Sequence, residues 1–162
     1  MKLWDKVGVV YAFLMERRMP MPMRTNDQKR AAFALRFIQC NRNKEDASRL
    51  STLVMKTPLQ VLQHGLGQSL AFLIADNGPV TGSDMKPSGR FYKELETWLC
   101  GEKEPDKPCR IYRDGESDLI KQLMEGNRSQ YMQAQREAIA LLVWMKKFAE
   151  AWLAGEASAG GS

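Results

Sequence analysis

The sequence has few of the residues from which active sites and disulfide scaffolds are built. It contains a single histidine, His64, and nothing beside it marks a nucleophile or an orienting carboxylate. Its three cysteines, Cys40, Cys100 and Cys109, are an odd number at irregular spacing. Zinc sites need close pairs such as Cys-x-x-Cys, and secreted disulfide scaffolds have even sets of cysteines. The sequence therefore predicts no catalytic dyad, no zinc site and no disulfide framework.

Long apolar runs are also missing. The longest uncharged apolar run near the start extends only from Val7 to Met15, whereas a helix that spans a bilayer needs about 20 residues. A secretory signal peptide fits poorly, because Asp5 interrupts the basic start and no small-x-small cleavage site follows the run. We expect a cytoplasmic protein with no membrane partner.

The charge of the chain is unevenly distributed. The 24 Lys and Arg residues exceed the 19 Asp and Glu residues and give a net charge of +5. Residues 1–60 contain 12 basic and 5 acidic residues, a net of +7, whereas residues 61–162 contain 12 and 14, a net of −2. A basic surplus confined to one third of the chain favours a polyanionic partner such as a nucleic acid. A solvated basic helix face is the alternative interpretation.

Helical spacing begins near the N-terminus. Residues 2–18 repeat apolar side chains at helical intervals and predict a short amphipathic helix, which the Met-Pro repeat of residues 19–23 ends. Thr25 and Gln28 then form a capping-box pattern, in which a hydroxyl and an amide three residues later satisfy backbone N–H groups of the first turn. This pattern predicts a second helix that ends near Asn41.

The middle of the chain contains further helix signals. A helix is predicted over Ser48–Met55, and Pro58 is expected in the first turn of the next helix, where its missing N–H costs nothing. Gly65 is expected to end that helix in the left-handed conformation, followed by the apolar Leu66. The nearly continuous apolar run within residues 67–75 predicts a buried helix.

The C-terminal half alternates helices with two irregular stretches. Residues 76–89 are rich in Gly and Pro and residues 101–117 in charge, so both are predicted to be loops. A one-sided helix lies between them, and a short helix is expected between Ser117 and Gly126. The last helix, from about Ser129 to Ala154, carries a wide apolar stripe that includes Trp152 and is expected to be buried along much of its length.

These patterns together predict an all-α fold. We expect a compact bundle of about five to seven helices with two irregular loops and no sheet. Residues 1–22 form an N-terminal extension that is a candidate amphipathic docking helix, residues 23–154 form the all-α domain, and residues 155–162 form a flexible tail.

Basic residues on consecutive predicted helices are the candidate functional groups. Such side chains bind phosphates without reading sequence. No aromatic ribonucleoprotein motif, zinc finger or helix-turn-helix points to base recognition. The candidates are Arg24, Lys29, Arg30, Arg36, Arg42, Lys44, Lys56, Arg136, Lys146 and Lys147.

Several sequence blocks also occur, in the same order, in a known family. Four blocks carry the resemblance: the start at residues 23–32 (MRTNDQKRAA), the Gly-Leu-Gly-Gln-Ser-Leu-Ala-Phe-Leu block at residues 65–73, the Trp98-Leu99 pair, and the Trp- and Lys-containing block at residues 140–150. Over roughly residues 23–153 the chain resembles the small helical subunit of type III-B CRISPR effector complexes, the Cmr complexes. The first 22 residues precede the usual start of that family.

This resemblance implies an all-α subunit without an active site, and hence no catalytic residues, cofactor or metal. Several copies would stack head to tail as an inner filament, next to the crRNA-bearing RAMP backbone subunits and the large palm-domain subunit. The filament would help to hold target RNA paired to the crRNA in antiviral defence, while other subunits cut RNA and make signalling nucleotides. His64 and Gln68 then join the basic residues as candidate RNA contacts.

Two other functions are compatible with the same residues. A stand-alone helical DNA-binding regulator would also be basic and would be expected to form a helix-turn-helix dimer. A pure assembly scaffold would use its basic face to touch acidic neighbours without contacting RNA. An enzyme is the least favoured interpretation, since no catalytic constellation accompanies the single histidine.

Overall fold

The computed structural model describes residues 24–78, 85–100, 111–112 and 118–153. This part of the chain contains an isolated parallel bridge between Cys100 and Tyr112, but no strand. The predicted all-α class is therefore confirmed. The predicted helix over residues 2–18, Cys109, Ser117 and the tail lie outside the described residues. The six helices of the described part are α1 (Asn26–Asn41), α2 (Ala47–His64), α3 (Leu66–Asn77), α4 (Pro87–Leu99), α5 (Leu119–Glu125) and α6 (Arg128–Trp152).

The first helix begins where its capping box predicts. The Gln28 backbone N–H donates to Thr25 Oγ1 at 3.2 Å, and the Thr25 N–H donates to Gln28 Oε1 at 2.8 Å. The two bonds satisfy N–H groups that a helix start leaves without partners. The buried side of α1 is formed by Phe33, Ala34, Phe37 and Ile38, together with Asn41.

Pro58 does not start a new helix, and this prediction is wrong. Instead, α2 continues through Pro58 to His64. A proline inside a helix removes one backbone hydrogen bond and costs about 3 kcal/mol. Fully burying one apolar side chain contributes about 1.5–3 kcal/mol, and Val54 and Val61 are both completely buried on the two sides of the proline. Packing of this face therefore outweighs the local cost of Pro58.

The third helix is buried on one side only. Leu66, Leu70 and Leu73 are buried, but Phe72 is 60% exposed and Ile74 is 38% exposed. The prediction of a buried helix is therefore correct for one side only, because α3 packs against α2, α4, α5 and α6 through a single face. The loop that follows is also shorter than expected, since α3 extends to Asn77 and α4 already begins at Pro87.

The last helix is the centre of the fold. It starts with an unpredicted capping box between Asn127 and Gln130, directly after Gly126, which ends α5 as expected. It packs mainly against α1 and α2 and also contacts α3 and α4. Its buried residues are Ala134, Ala138, Leu141, Leu142, Met145 and Ala149. Trp152, which the sequence places in the buried stripe, is instead 37% exposed. Nowhere in the described ranges is a helix both apolar and long enough to cross a bilayer.

A sharp turn at Gly65 joins α2 to α3 and is held by α6. The φ angle of Gly65 is +87°, in the range that favours glycine, as the sequence predicts. The next two backbone N–H groups donate to side chains of α6: that of Leu66 to Gln135 Oε1 and that of Gly67 to Tyr131 Oη, both at 3.2 Å. The two hydrogen bonds to α6 side chains thus fix the angle between α2 and α3.

Alanine substitutions at Gly65 and at Gly78 separate backbone strain from contact with α6. Both glycines have positive φ, so each substitution should cost about 1 kcal/mol or more in strain. A Cβ at Gly65 would lie 2.9 Å from Tyr131 Oη, whereas a Cβ at Gly78 would meet nothing within 4 Å. We expect G65A to lower the free energy of unfolding by about 1 kcal/mol more than G78A, because it also disturbs the bond to Gly67. Urea denaturation measures this difference, and equal losses would contradict it.

Candidate nucleic-acid interface

Four of the candidate basic residues lie within three residues, along the chain, of the pair that joins the start of α1 to α6. The indole N–H of Trp144 donates to Asp27 Oδ1 at 2.9 Å and joins the two helices there. Lys147 lies on the same Trp144, with its ammonium 5.2 Å from the ring centroid, in the range of a cation–π contact. Arg24 and Lys29 flank Asp27 in the chain, and Lys146 follows two residues after Trp144. We call Arg24, Lys29, Lys146 and Lys147 the α1–α6 basic group.

This group presents cationic side chains to solvent. Arg24 and Lys147 are exposed, and Lys29 is half-buried. No carboxylate within the described ranges forms a salt bridge with any of these three. Lys146 differs, because its Nζ lies 4.0 Å from Glu150 Oε1 on the next turn of α6. An exposed pair of this kind contributes little stability and leaves the ammonium available to another anion.

The other end of α1 forms one wall of a cleft with α4. The cleft has a volume of about 290 Å³ and is lined by Arg36, Cys40, Arg90 and Lys93, among others. The Arg36 guanidinium lies 5.0 Å from the centroid of the Phe33 ring, so it is held against α1 while remaining exposed. Arg42 is exposed just beyond the helix, as is Lys44. We call this region the α1–α4 cleft.

Arg90 fixes the wall of the cleft and was not recognised in the sequence. Its guanidinium donates two bonds to the Asp46 carboxylate, at 2.7 and 3.0 Å, and a third to Asn41 Oδ1 at 3.0 Å. The hydrogen bonds and the charge of Arg90 hold the pKa of Asp46 below its ordinary value. Arg90 therefore connects α4 to the end of α1 and the start of α2. No local spacing in the sequence marks this contact, because its partners are 44 and 49 residues away.

Arg30 is engaged inside the fold. Its Nε and one terminal nitrogen donate to the two oxygens of Glu137, both at 2.8 Å, and the Trp98 indole donates to Glu137 Oε1 at 3.0 Å. Only 19% of the Arg30 side chain and 14% of the Glu137 side chain are exposed. The paired guanidinium favours a role in stability over the phosphate contact that the sequence predicts for it.

The remaining candidates lie apart from the two basic regions. His64 ends α2 and Gln68 is in the first turn of α3, both exposed. The bonds from Leu66 and Gly67 to α6 place this junction beside the part of α6 that contains Arg136, which is exposed. Lys56 is exposed on α2 and none of these contacts involves it. The structure therefore spreads the predicted contacts over several places instead of one face.

Metal-binding chemistry finds no support in this arrangement. Within the described ranges, no group of three or more His, Cys, Asp or Glu side chains could hold a metal ion. Cys40 is exposed and Cys100 is buried at the end of α4. What the described surface offers is positive charge.

Comparison with known proteins identifies the family. Residues 26–152 match the family model described as CRISPR-associated protein (Cas_Cmr5). The chain belongs to the Cmr5 family. A crystal structure of a CRISPR-associated Cmr5 family protein from Thermus thermophilus superposes with a TM-score of 0.60 and 25% sequence identity, covering 80% of this chain and 98% of that chain. The resemblance to the small subunit of Cmr complexes is confirmed.

The Cmr5 match coincides with the described helices. It begins at Asn26, the first residue of α1, and ends at Trp152, the last residue of α6. The Cmr5 fold therefore comprises all the helices that position the α1–α6 basic group and the α1–α4 cleft. Arg24 lies two residues before the matched range.

Removing the Glu137 carboxylate should destabilise this Cmr5 protein markedly. E137A leaves Arg30 and the Trp98 indole without their shared acceptor, at a cost of about 3 kcal/mol, the lower end for breaking a buried pair. E150A is the matched control on the same helix. It removes only the exposed contact to Lys146 and should cost about 0.5 kcal/mol. Thermal or urea unfolding of both variants tests this, and similar losses would contradict it.

Acid should weaken the contact between Asp46 and Arg90. Because the folded-state pKa of Asp46 lies below its ordinary value of 3.8, its ion pair adds stability above that pH. This stability is lost as the pH falls from 3.8 through the lower folded-state pKa. We expect the free energy of unfolding of D46N and of R90M to fall less steeply with decreasing pH in this interval. Urea denaturation at several pH values measures the slopes, and unchanged slopes would contradict the assignment.

Proposed function

We propose that this chain is a non-catalytic structural subunit of a type III-B Cmr complex that contacts target RNA, or the crRNA–target duplex, through its exposed cations. The observation that supports the proposal is the α1–α6 basic group, whose four cations each lie within three residues of Asp27 or Trp144, the pair that joins α1 to α6. The Cmr5 family supports the assignment to a Cmr complex. Cytoplasmic antiviral defence is the setting that this assignment implies.

A subunit of this kind needs positive charge to bind RNA phosphates but does not need to recognise bases. In guide-directed complexes, base pairing between guide and target sets the sequence specificity, and protein contacts go to the backbone. Lysine and arginine neutralise phosphates without distinguishing bases. We assign the principal contacts to the α1–α6 basic group. The secondary contacts are Arg36, Arg42, Lys56, His64, Gln68 and Arg136.

Contact with other subunits is supported by an apolar stripe on α2. Met55, Leu59 and Leu62 follow one another at intervals of four and three residues and are 37%, 58% and 64% exposed. Adjacent exposed apolar side chains on a helix are typical of surfaces that bind another protein. We assign this stripe to packing against another Cmr subunit, either a second copy in a stacked filament or a RAMP backbone or palm-domain subunit.

Salt dependence tests the RNA contact in the assembled complex. Each phosphate contact to a single strand contributes a slope of about −0.7 to log affinity against log salt concentration. Replacing two cations of the α1–α6 basic group, as K29Q/K147Q, should therefore make the slope shallower by about 1.4. The control K121Q/R128Q removes the same charge from exposed positions of α5 and α6 outside that group.

The same variants distinguish the alternatives. An unchanged slope in K29Q/K147Q would contradict the assigned contact. Loss of complex assembly with normal RNA affinity of the remaining complex would indicate a pure scaffold. Sequence-selective binding of duplex DNA by the isolated chain would indicate a regulator instead.

A further inference from the structure

The second half of α6 carries a row of aromatic side chains. Trp144, Phe148 and Trp152 follow at intervals of four residues, and their ring centroids are 5.6 and 5.3 Å apart. Trp144 and Phe148 are half-buried and Trp152 is 37% exposed. We call these three residues the aromatic row. Burying the remaining exposed surface of large aromatic side chains contributes more free energy than burying that of smaller side chains.

The chain enters the described fold beside this row. Asp27 contacts Trp144, and Arg30 contacts Glu137. Residues later in α1 thus contact residues earlier in α6, so the two helices run antiparallel. The chain before α1 therefore arrives from the direction of Phe148 and Trp152. Arg24 is three residues from the carboxylate that holds the Trp144 indole.

The preceding segment has the pattern and length to cover the row. Residues 2–18 carry Leu3, Val7, Val10 and Leu14 at helical intervals. From Val7 to Met15, a helix would advance about 12 Å, the same as from Trp144 to Trp152. The Met-Pro repeat of residues 19–23 cannot continue a helix and, when extended, spans about 15 Å. That distance lets the segment turn back onto α6 of its own chain.

We propose that residues 2–18 dock as an amphipathic helix on the aromatic row of the same chain. The apolar stripe of the segment covers Phe148 and Trp152, and the Met-Pro repeat forms the connection to α1. The docking segment lies before residue 26, where the match to the Cmr5 family begins. It is independent of the proposed RNA contact, because it needs none of the basic residues.

Hydrogen–deuterium exchange of the full chain tests the docking. We expect amides of residues 7–15 to exchange at least tenfold more slowly than those of an isolated peptide of residues 1–22. F148S/W152S should abolish this protection. F72S/M124S, which changes exposed apolar residues of α3 and α5, should leave it intact. Retained protection within α1 and the first half of α6 shows that each variant is folded.

A reciprocal variant tests the contact from the other partner. L14N changes the segment but no residue of the described helices, and it should release the segment from the row. Hydroxyl-radical oxidation of Trp152 should then rise severalfold. The control A12S should leave the oxidation of Trp152 unchanged. Peptide-like exchange of residues 7–15 in the unmodified chain, or protection that survives F148S/W152S, would overturn the proposal. Protection that increases with protein concentration would assign the row to a second copy, and protection that requires added single-stranded RNA would assign it to nucleic acid; either result would also overturn it.

Discussion

The Glu137 carboxylate holds together three helices that are distant in the sequence. It accepts two bonds from Arg30 of α1 and one from the Trp98 indole of α4, while it is itself carried by α6. Because its side chain is only 14% exposed, these acceptor sites are largely withheld from water. Phe33 then packs against Trp98 with ring centroids 4.6 Å apart, so the polar contact and the aromatic core share a residue. The positions of α1 and α4 on α6, and hence of the basic group and the cleft, depend on this carboxylate.

Local patterns in the sequence were sufficient where the cause of the structure is itself local. The capping box at Thr25 and the positive φ of Gly65 follow from residues a few positions apart, and both are confirmed. Pro58 does not form the predicted helix boundary, because burial of the apolar side chains on either side of it outweighs the local cost of a proline inside a helix. The apolar run of α3 predicted a helix correctly but not its exposed Phe72, since neighbouring helices decide which side is covered.

The same limit applies to the candidate interface. The sequence identified the cations but could not indicate that Glu137, 107 residues away, engages Arg30. Nor could it indicate that Trp144 and Asp27 join the start of α1 to α6, because 117 residues separate them. The role of Arg90 is likewise not predictable from local sequence, because its partners lie 44 and 49 residues away. Composition thus predicts the kind of partner, whereas the grouping of charges depends on tertiary contacts.

The central position of α6 also has a consequence for the order in which the chain folds during synthesis. The ribosome releases α1 to α4 before α6 exists, yet all four contact α6 in the finished structure. The turn between α2 and α3 even takes two of its hydrogen bonds from Gln135 and Tyr131 of that last helix. Until α6 is synthesised, the apolar sides of the earlier helices therefore stay incompletely covered. We expect folding to be completed in a late step that depends on long-range contacts.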